Sequence, residues 1–109
     1  MAYNELLAER IQALLKGTRG LEEKKMFGGV GFMVDGNLAC GVIGDELILR
    51  VNPEETQLVL SQPHTRMFDM TGKPMRGWVV VMPQGLQTAA DLNRWVRQGV
   101  EYAATLPGK

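Results

Sequence analysis

The sequence predicts a single α+β domain with the element order α-β-β-β-α-β-β-α and a mainly antiparallel five-stranded sheet flanked by helices. Three observations support this. Apolar residues recur at helical spacing near both ends of the chain. In residues 25–52, runs with the alternating pattern of strands are separated by glycine-containing turn signals. Residues 78–82 read WVVVM, a continuous apolar run. The 109 residues suit one modest core. We expect this core to span roughly residues 3–104, with a frayed tail at 105–109.

The first helix is predicted over residues 3–16. Leu7, Ile11 and Leu15 recur at helical spacing, and Asn4 is a suitable N-cap. Gly17 follows Lys16 as a stop signal. The next stretch, GTRGLEEKK, has no apolar alternation and is predicted to be a polar connection.

Three antiparallel strands are predicted over residues 25–52. The first, MFGGVGFMV, ends at Asp35-Gly36, a strong signal for a two-residue hairpin turn. The second, NLACGVI, places alternate residues on opposite faces of the strand and is followed by the turn at Gly44-Asp45. The third, ELILRVN, alternates again, so the segment predicts a meander.

A second helix, two strands and a third helix complete the order. Asn52 is predicted to cap the second helix, with Pro53 at its first position, and the helix must end before Pro63. TRMFDM and WVVVM are predicted strands, the second buried on both faces. Thr88 is predicted to cap the last helix. The apolar face of that helix comprises Leu92, Trp95, Val96, Gly99, Tyr102 and Ala103.

Charge and composition narrow the functional classes. Twelve basic and twelve acidic side chains give zero formal net charge, so bulk charge gives no support to direct nucleic-acid binding. Residues 56–109 nevertheless carry more bases than acids, which could orient a partner. The single cysteine excludes an internal disulfide and fits a reducing compartment. With no long apolar run and no signal-peptide pattern, we expect a cytoplasmic protein without a membrane span.

The glycine-rich stretch KMFGGVGFMVDGNLACGV raises the question of a phosphate loop. Such a loop needs a helix directly after the glycines, but Asp35-Gly36 leads here into another strand. Strand glycines more often mark a bulge or close approach of another backbone. We therefore expect a bulge at Gly28, and a smooth stripe at Gly29 and Gly31 against which a helix could lie.

Catalytic and metal-binding patterns have little support. Cys40 and His64 are the only members of their types, and Cys40 lies in an apolar strand pattern typical of a buried thiol. Asp69 is the sole carboxylate between residues 56 and 90, and no carboxylates cluster with ligand spacing. We therefore expect no catalytic residue, no metal and no cofactor.

The remaining candidates are polar and aromatic residues around the later strands. They are Arg50, Arg66, Asp69, Lys73, Arg76 and Trp78. One interpretation is that Asp69 pairs with a nearby cation and pins the loop before WVVVM, although an exposed pair stabilises by only about 0–1 kcal/mol. The other interpretation is a patch that contacts an anion or a partner.

Three stretches together resemble the N-terminal domain of the TfoX (Sxy) family of competence regulators. They are KKMFGGVGFMVDGNLACGV, DELILRVNPEE and FDMTGKPMRGWVVV, which span roughly residues 24–81 in order. The resemblance implies an α+β domain in a bacterial cytoplasmic protein. Full-length members act with the cyclic-AMP receptor protein at competence promoters and carry a second helical domain. The chain resembles the stand-alone form without that domain, and no catalytic residue is implied.

The sequence thus favours a small non-enzymatic interaction module with a regulatory role, working through contacts with an unidentified protein. Two alternatives stay open. One is a nucleic-acid accessory protein that uses the basic C-terminal half. The other is a domain that binds a small molecule or anion. Homo-oligomerisation is also open, because an antiparallel sheet has edges that can pair.

Overall fold

A computed structural model of the chain describes residues 3–26, 28–69 and 76–107. Within these ranges, three helices and six strands make up a single compact domain. The helices are α1 (Glu5–Leu15), α2 (Thr56–Leu60) and α3 (Ala89–Thr105). The strands are β1 (Leu21–Met26), β2 (Gly29–Val34), β3 (Asn37–Ile43), β4 (Glu46–Arg50), β5 (Thr65–Met67) and β6 (Trp78–Val81).

The six strands form one sheet in the order β1-β2-β3-β4-β6-β5, and every neighbouring pair is antiparallel. The α+β class and the antiparallel sheet are confirmed, but the predicted count of five strands is wrong. The additional strand is β1, which lies in the segment predicted to be a polar connection. Residues 22–25 are exposed, so β1 lacks the apolar alternation by which a strand is recognised.

The predicted helix starts are confirmed at all three caps. The side chains of Asn4, Asn52 and Thr88 accept hydrogen bonds from the backbone N–H groups of Leu7, Glu54 and Asp91. Each bond satisfies a donor that the first helical turn leaves without a partner. After Asn52 the chain first makes a short 3-10 turn over Pro53–Glu55 and then enters α2.

The glycine-rich stretch contains two hairpin turns rather than one. Met26 pairs with Gly29, so β1 and β2 are joined by a turn in which Gly28 has a φ of 77°. Such a left-handed conformation favours glycine. The β-bulge predicted at Gly28 is therefore wrong. The register shifts instead between Phe32 and Met33 on β2, and the shift leaves Ala39 of β3 as the additional residue.

The helices pack on one face of the sheet. Ile11 of α1, Val59 of α2 and Trp95 of α3 join the core cluster that includes Phe32 and Leu49 of the sheet. On β6, residues 79–81 are all buried, as predicted for this apolar run. No helix in the described ranges is long and apolar enough to span a membrane.

A glycine does allow a helix to approach the sheet closely, but it is Gly99 of α3. A β-carbon at Gly99 would collide with the backbone carbonyl oxygen of Ala39. At Gly29 a β-carbon would instead collide with the carbonyl oxygen of Val42, on the neighbouring strand. The glycine of β2 therefore serves strand-to-strand approach, and α3 supplies its own small residue for helix-to-sheet approach.

Candidate functional site

The predicted site begins at a turn that is tied to the start of α2. The hydroxyl of the buried Thr56 accepts a 3.0 Å hydrogen bond from the Gly77 N–H and donates a 2.8 Å bond to the Pro53 carbonyl. The Val51 N–H donates to the Gly77 carbonyl at 2.9 Å, and Arg76 Nε donates to the Pro53 carbonyl at 3.1 Å. The stretches VNPEET and RGWV are thus held together at the point where β4 ends and β6 begins.

This connection places Arg50 beside two aromatic rings. Arg50 is the direct cross-strand partner of Trp78, and its guanidinium carbon lies 5.4 Å from the Trp78 ring centroid. The same carbon lies 5.9 Å from the ring centroid of Tyr102 on α3. Both distances are within the range of cation–π attraction. Phe68 extends the group, with its ring centroid 6.3 Å from that of Trp78. We call Arg50, Phe68, Trp78 and Tyr102 the aromatic–arginine patch.

The patch is partly open to solvent. All four of its side chains are half-buried, whereas the core tryptophan Trp95 is 1% exposed. A half-buried arginine held against two rings has less freedom to lose on binding than a free surface arginine. The patch can therefore offer both apolar area and charged hydrogen-bond donors to a partner.

The other predicted residues do not form one cluster. Arg66 donates from Nη2 to Oε1 of Glu46 at 2.6 Å, and lies opposite Val80 rather than Trp78. Arg76 contacts the Pro53 backbone as described above. Asp69 is exposed and makes no ion pair within residues 3–26, 28–69 and 76–107, so the predicted pinning pair with Arg66 or Arg76 is not formed there. Lys73 lies outside the described residues.

Sequence reasoning did not place Phe68 and Tyr102 in the site. The sequence places Phe68 only in a strand and Tyr102 only on the apolar face of the last helix. Tyr102 is half-buried where its helical neighbour Ala103 is buried, so it lies at the edge of that face. An aromatic residue at the border of an apolar helix face is a weak sequence signal of a surface site, because such a residue can contact both core and surface.

A shallow recess lies next to the patch and brings in negative charge. It is bordered by Tyr102 together with the carboxyl-bearing side chains of Glu55 and Glu101, both exposed. The surface around the patch therefore carries acidic as well as basic groups. A polyanion such as nucleic acid is repelled by the former, whereas a protein surface can match both signs.

The chain's single thiol is unsuited to nucleophilic attack. Cys40 is completely buried, and desolvation raises the pKa of its thiol from the ordinary value of 9.0 to about 12. A nucleophilic cysteine needs the thiolate form and access to substrate, and Cys40 has neither. Among the described residues, no group of three or more His, Cys, Asp and Glu side chains is placed to hold a metal ion.

Comparison with known families identifies the domain. The model of the TfoX N-terminal domain matches residues 13–103 of the 109-residue chain. The chain belongs to this family. No match to the chain is found among curated proteins. The matched range of the TfoX N-terminal domain contains the whole aromatic–arginine patch, as well as the hydrogen bonds that join VNPEET to RGWV. These motifs of the TfoX N-terminal domain therefore have a structural role in this chain, which is to tie β6 to the start of α2.

Proposed function

We propose that this TfoX N-terminal domain is a non-enzymatic module that binds another protein through the aromatic–arginine patch, in a regulatory role in the bacterial cytoplasm. The observation that carries the proposal is the position of Arg50 against the rings of Trp78 and Tyr102. Arginine, tryptophan and tyrosine are the residues most enriched among those that dominate binding energy at protein interfaces. The free, buried thiol of Cys40 suits a reducing compartment.

The local charges favour a protein partner over nucleic acid. Arg50 and Arg76 supply positive charge near the end of β4, and Glu55 and Glu101 supply negative charge at the adjoining recess. A nucleic-acid site of this size would instead present lysine and arginine side chains along a continuous stripe. We therefore expect binding that depends on the rings and on charges of both signs.

The test compares two double charge reversals. Arg50→Glu with Arg76→Glu reverses the arginine of the patch and the neighbouring Arg76, and Arg19→Glu with Arg97→Glu makes the same change in net charge at exposed positions elsewhere. Immobilised wild type, patch variant and control variant are exposed to bacterial lysate with and without nuclease treatment, and retained proteins are quantified by mass spectrometry. Circular dichroism melts establish that each variant is folded.

We expect one protein or complex to be retained by the wild type and the control and lost by the patch variant. Equal retention by all three proteins would place the interface elsewhere. Retention that disappears in the nuclease-treated sample would favour the nucleic-acid alternative instead. A protein partner lost only from the control variant would contradict the assignment of the patch.

A further inference from the structure

The strand β1 forms one edge of the sheet, and its outer side is a candidate interaction surface. Residues 21–26 all pair with β2 on the inner side, and β1 is the terminal strand in the sheet order. An edge strand presents a row of backbone N–H and C=O groups that another strand can extend. The opposite edge, β5, has only three residues and is a much shorter template.

The charges of β1 are arranged in two blocks, Glu22-Glu23 followed by Lys24-Lys25, and all four side chains are exposed. Lysine on an edge strand normally discourages pairing with another strand. This repulsion does not apply to an antiparallel second copy of the same strand. When the same sequence runs in the opposite direction, the lysine block of one strand faces the glutamate block of the other.

We infer that two copies of this chain associate through antiparallel pairing of their β1 strands around a two-fold axis that passes at Glu23. Such an axis is perpendicular to the sheet, so each face of one copy continues the same face of the other. Opposed residues must then come from the same face. Glu22 and Lys24 share one face, because they lie opposite Met33 and Gly31 on β2. Pairing centred on Glu23 therefore sets Glu22 of each copy opposite Lys24 of the second copy.

The contacts already present within the chain favour this centre over the neighbouring one at Lys24. On the face covered by the helices, Glu23 accepts a 2.7 Å hydrogen bond from Gln12, and Lys25 donates a 2.9 Å bond to the Tyr3 hydroxyl. On the other face, the ion pair between Glu22 and Lys24, at 3.9 Å, is the only side-chain hydrogen bond or ion pair that either residue makes within the described residues.

Centring on Glu23 uses Glu22 and Lys24, which are otherwise joined only by their exposed 3.9 Å ion pair, for the two opposite-charge pairs, and it places only Glu23 against its own copy. That like-charge contact is moderated by the amide of Gln12, and Lys25 of the second copy is its diagonal neighbour. Centring on Lys24 would set two lysines opposite each other and would draw Glu23 and Lys25, which already contact Gln12 and Tyr3, into the pairs between copies.

The experiment uses charge complementation. One variant carries Glu22→Lys and Glu23→Lys, and the other carries Lys24→Glu and Lys25→Glu. Each edge then has a single sign and repels its own copy, whereas the two different edges attract each other at all three opposed pairs formed by residues 22–24. Masses are measured by sedimentation velocity over a concentration series that reaches the millimolar range, with 12.1 kDa as the monomer mass.

We expect the wild type to shift toward twice the monomer mass as concentration rises, each variant alone to stay monomeric, and their equimolar mixture to associate several-fold more tightly than the wild type. A matched control mixes Glu9→Lys/Glu101→Lys with Arg94→Glu/Arg97→Glu, which carry the same net charges on helices rather than on β1. Each control protein should dimerise as the wild type does, and mixing should add little.

Three results would overturn the inference: a monomeric wild type at every concentration, variants that dimerise alone, or a control mixture that associates as strongly as the edge mixture. Amide hydrogen exchange gives a measurement that needs no variant. Protection of backbone N–H groups within residues 21–26 of the wild type should rise with protein concentration, and unchanged protection would also contradict the pairing. Loss of partner binding at the aromatic–arginine patch affects neither measurement, so the two proposals fail separately.

Discussion

Replacing Gly99 with alanine tests the close contact between α3 and the sheet. The added β-carbon would collide with the carbonyl oxygen of Ala39 and would lie 2.8 Å from Cδ1 of Leu49 and 3.2 Å from the carbonyl carbon of Ala39. Carbon atoms in proteins pack at about 3.5–4.0 Å, so α3 would have to move away from β3 by roughly 1 Å. The Leu49 side chain can adjust, but the backbone of Ala39 is held in the sheet at the bulge.

Two opposing effects set the size of the change. Alanine is a better helix former than glycine by about 0.8–1.0 kcal/mol, which favours the variant. Overpacking of a well-packed core costs typically about 1–3 kcal/mol, and the displacement also loosens the contacts of Trp95 and Val96, on the same helix face. We expect the second effect to prevail, so that the free energy of unfolding falls by about 1–2 kcal/mol, equivalent to a melting temperature lower by about 4–15 °C.

Urea denaturation followed by circular dichroism measures this difference, with Ala104→Gly as the matched control. Ala104 is exposed on α3, so its replacement reports the helix-propensity term in the same helix without any contact to the sheet. If Ala104→Gly loses about 1 kcal/mol while Gly99→Ala gains a similar amount, propensity alone explains both variants and the steric reasoning is refuted.

Three further outcomes follow from the described contacts. Gly29→Val should lower the free energy of unfolding by about 1–3 kcal/mol, because its side chain meets the Val42 carbonyl, and an unchanged urea midpoint would contradict this. Trp95→Phe should change stability by less than about 1.5 kcal/mol in a urea titration, because the lost ring volume is offset by removing an indole N–H that has no acceptor among the described residues. Since burial raises the pKa of Cys40 from 9.0 to about 12, the unfolded chain releases this proton first. Stability should therefore fall above pH 9 by about 1.4 kcal/mol per pH unit more than in Cys40→Ala, and parallel pH profiles would exclude the effect.

The elements that sequence reasoning predicted correctly are those determined by short-range chemistry. The caps at Asn4, Asn52 and Thr88 each bond to a backbone N–H two or three residues ahead, so the signal and its structural consequence lie in the same few residues. The Asp35-Gly36 hairpin is equally local. The bulge at Ala39 was not predicted because it depends on how β3 pairs with β2, which no local pattern records.

The candidate site was predictable only in part for the same reason. Arg50 and Trp78 were both selected from the sequence, but their direct pairing follows from the order of β4 and β6 in the sheet. Tyr102 joins them from α3, although it lies more than fifty residues beyond Arg50 in the chain. The sequence groups Arg66 with these residues because it is near them in the chain. In the sheet, however, Arg66 lies opposite Val80, and its guanidinium pairs with Glu46.

The edge strand β1 is both the strand that the sequence did not predict and the proposed site of association. Its side chains at positions 22–25 are all charged and exposed, which is why apolar periodicity did not identify the strand, and the same exposure leaves Glu22 and Lys24 accessible to a second copy. The sheet order places β1 four strand positions away from β6. Pairing through β1 would therefore join two sheets while leaving the two aromatic–arginine patches toward the far ends, free for partners.

A dimer with two separated patches can bind a partner that has two matching sites more tightly than one patch can, provided that the spacing fits. Lowering dimerisation with Lys24→Glu/Lys25→Glu should then weaken binding to a bivalent partner and leave binding to a monovalent one unchanged, whereas equal weakening of both would mean that the edge and the patch are not independent surfaces.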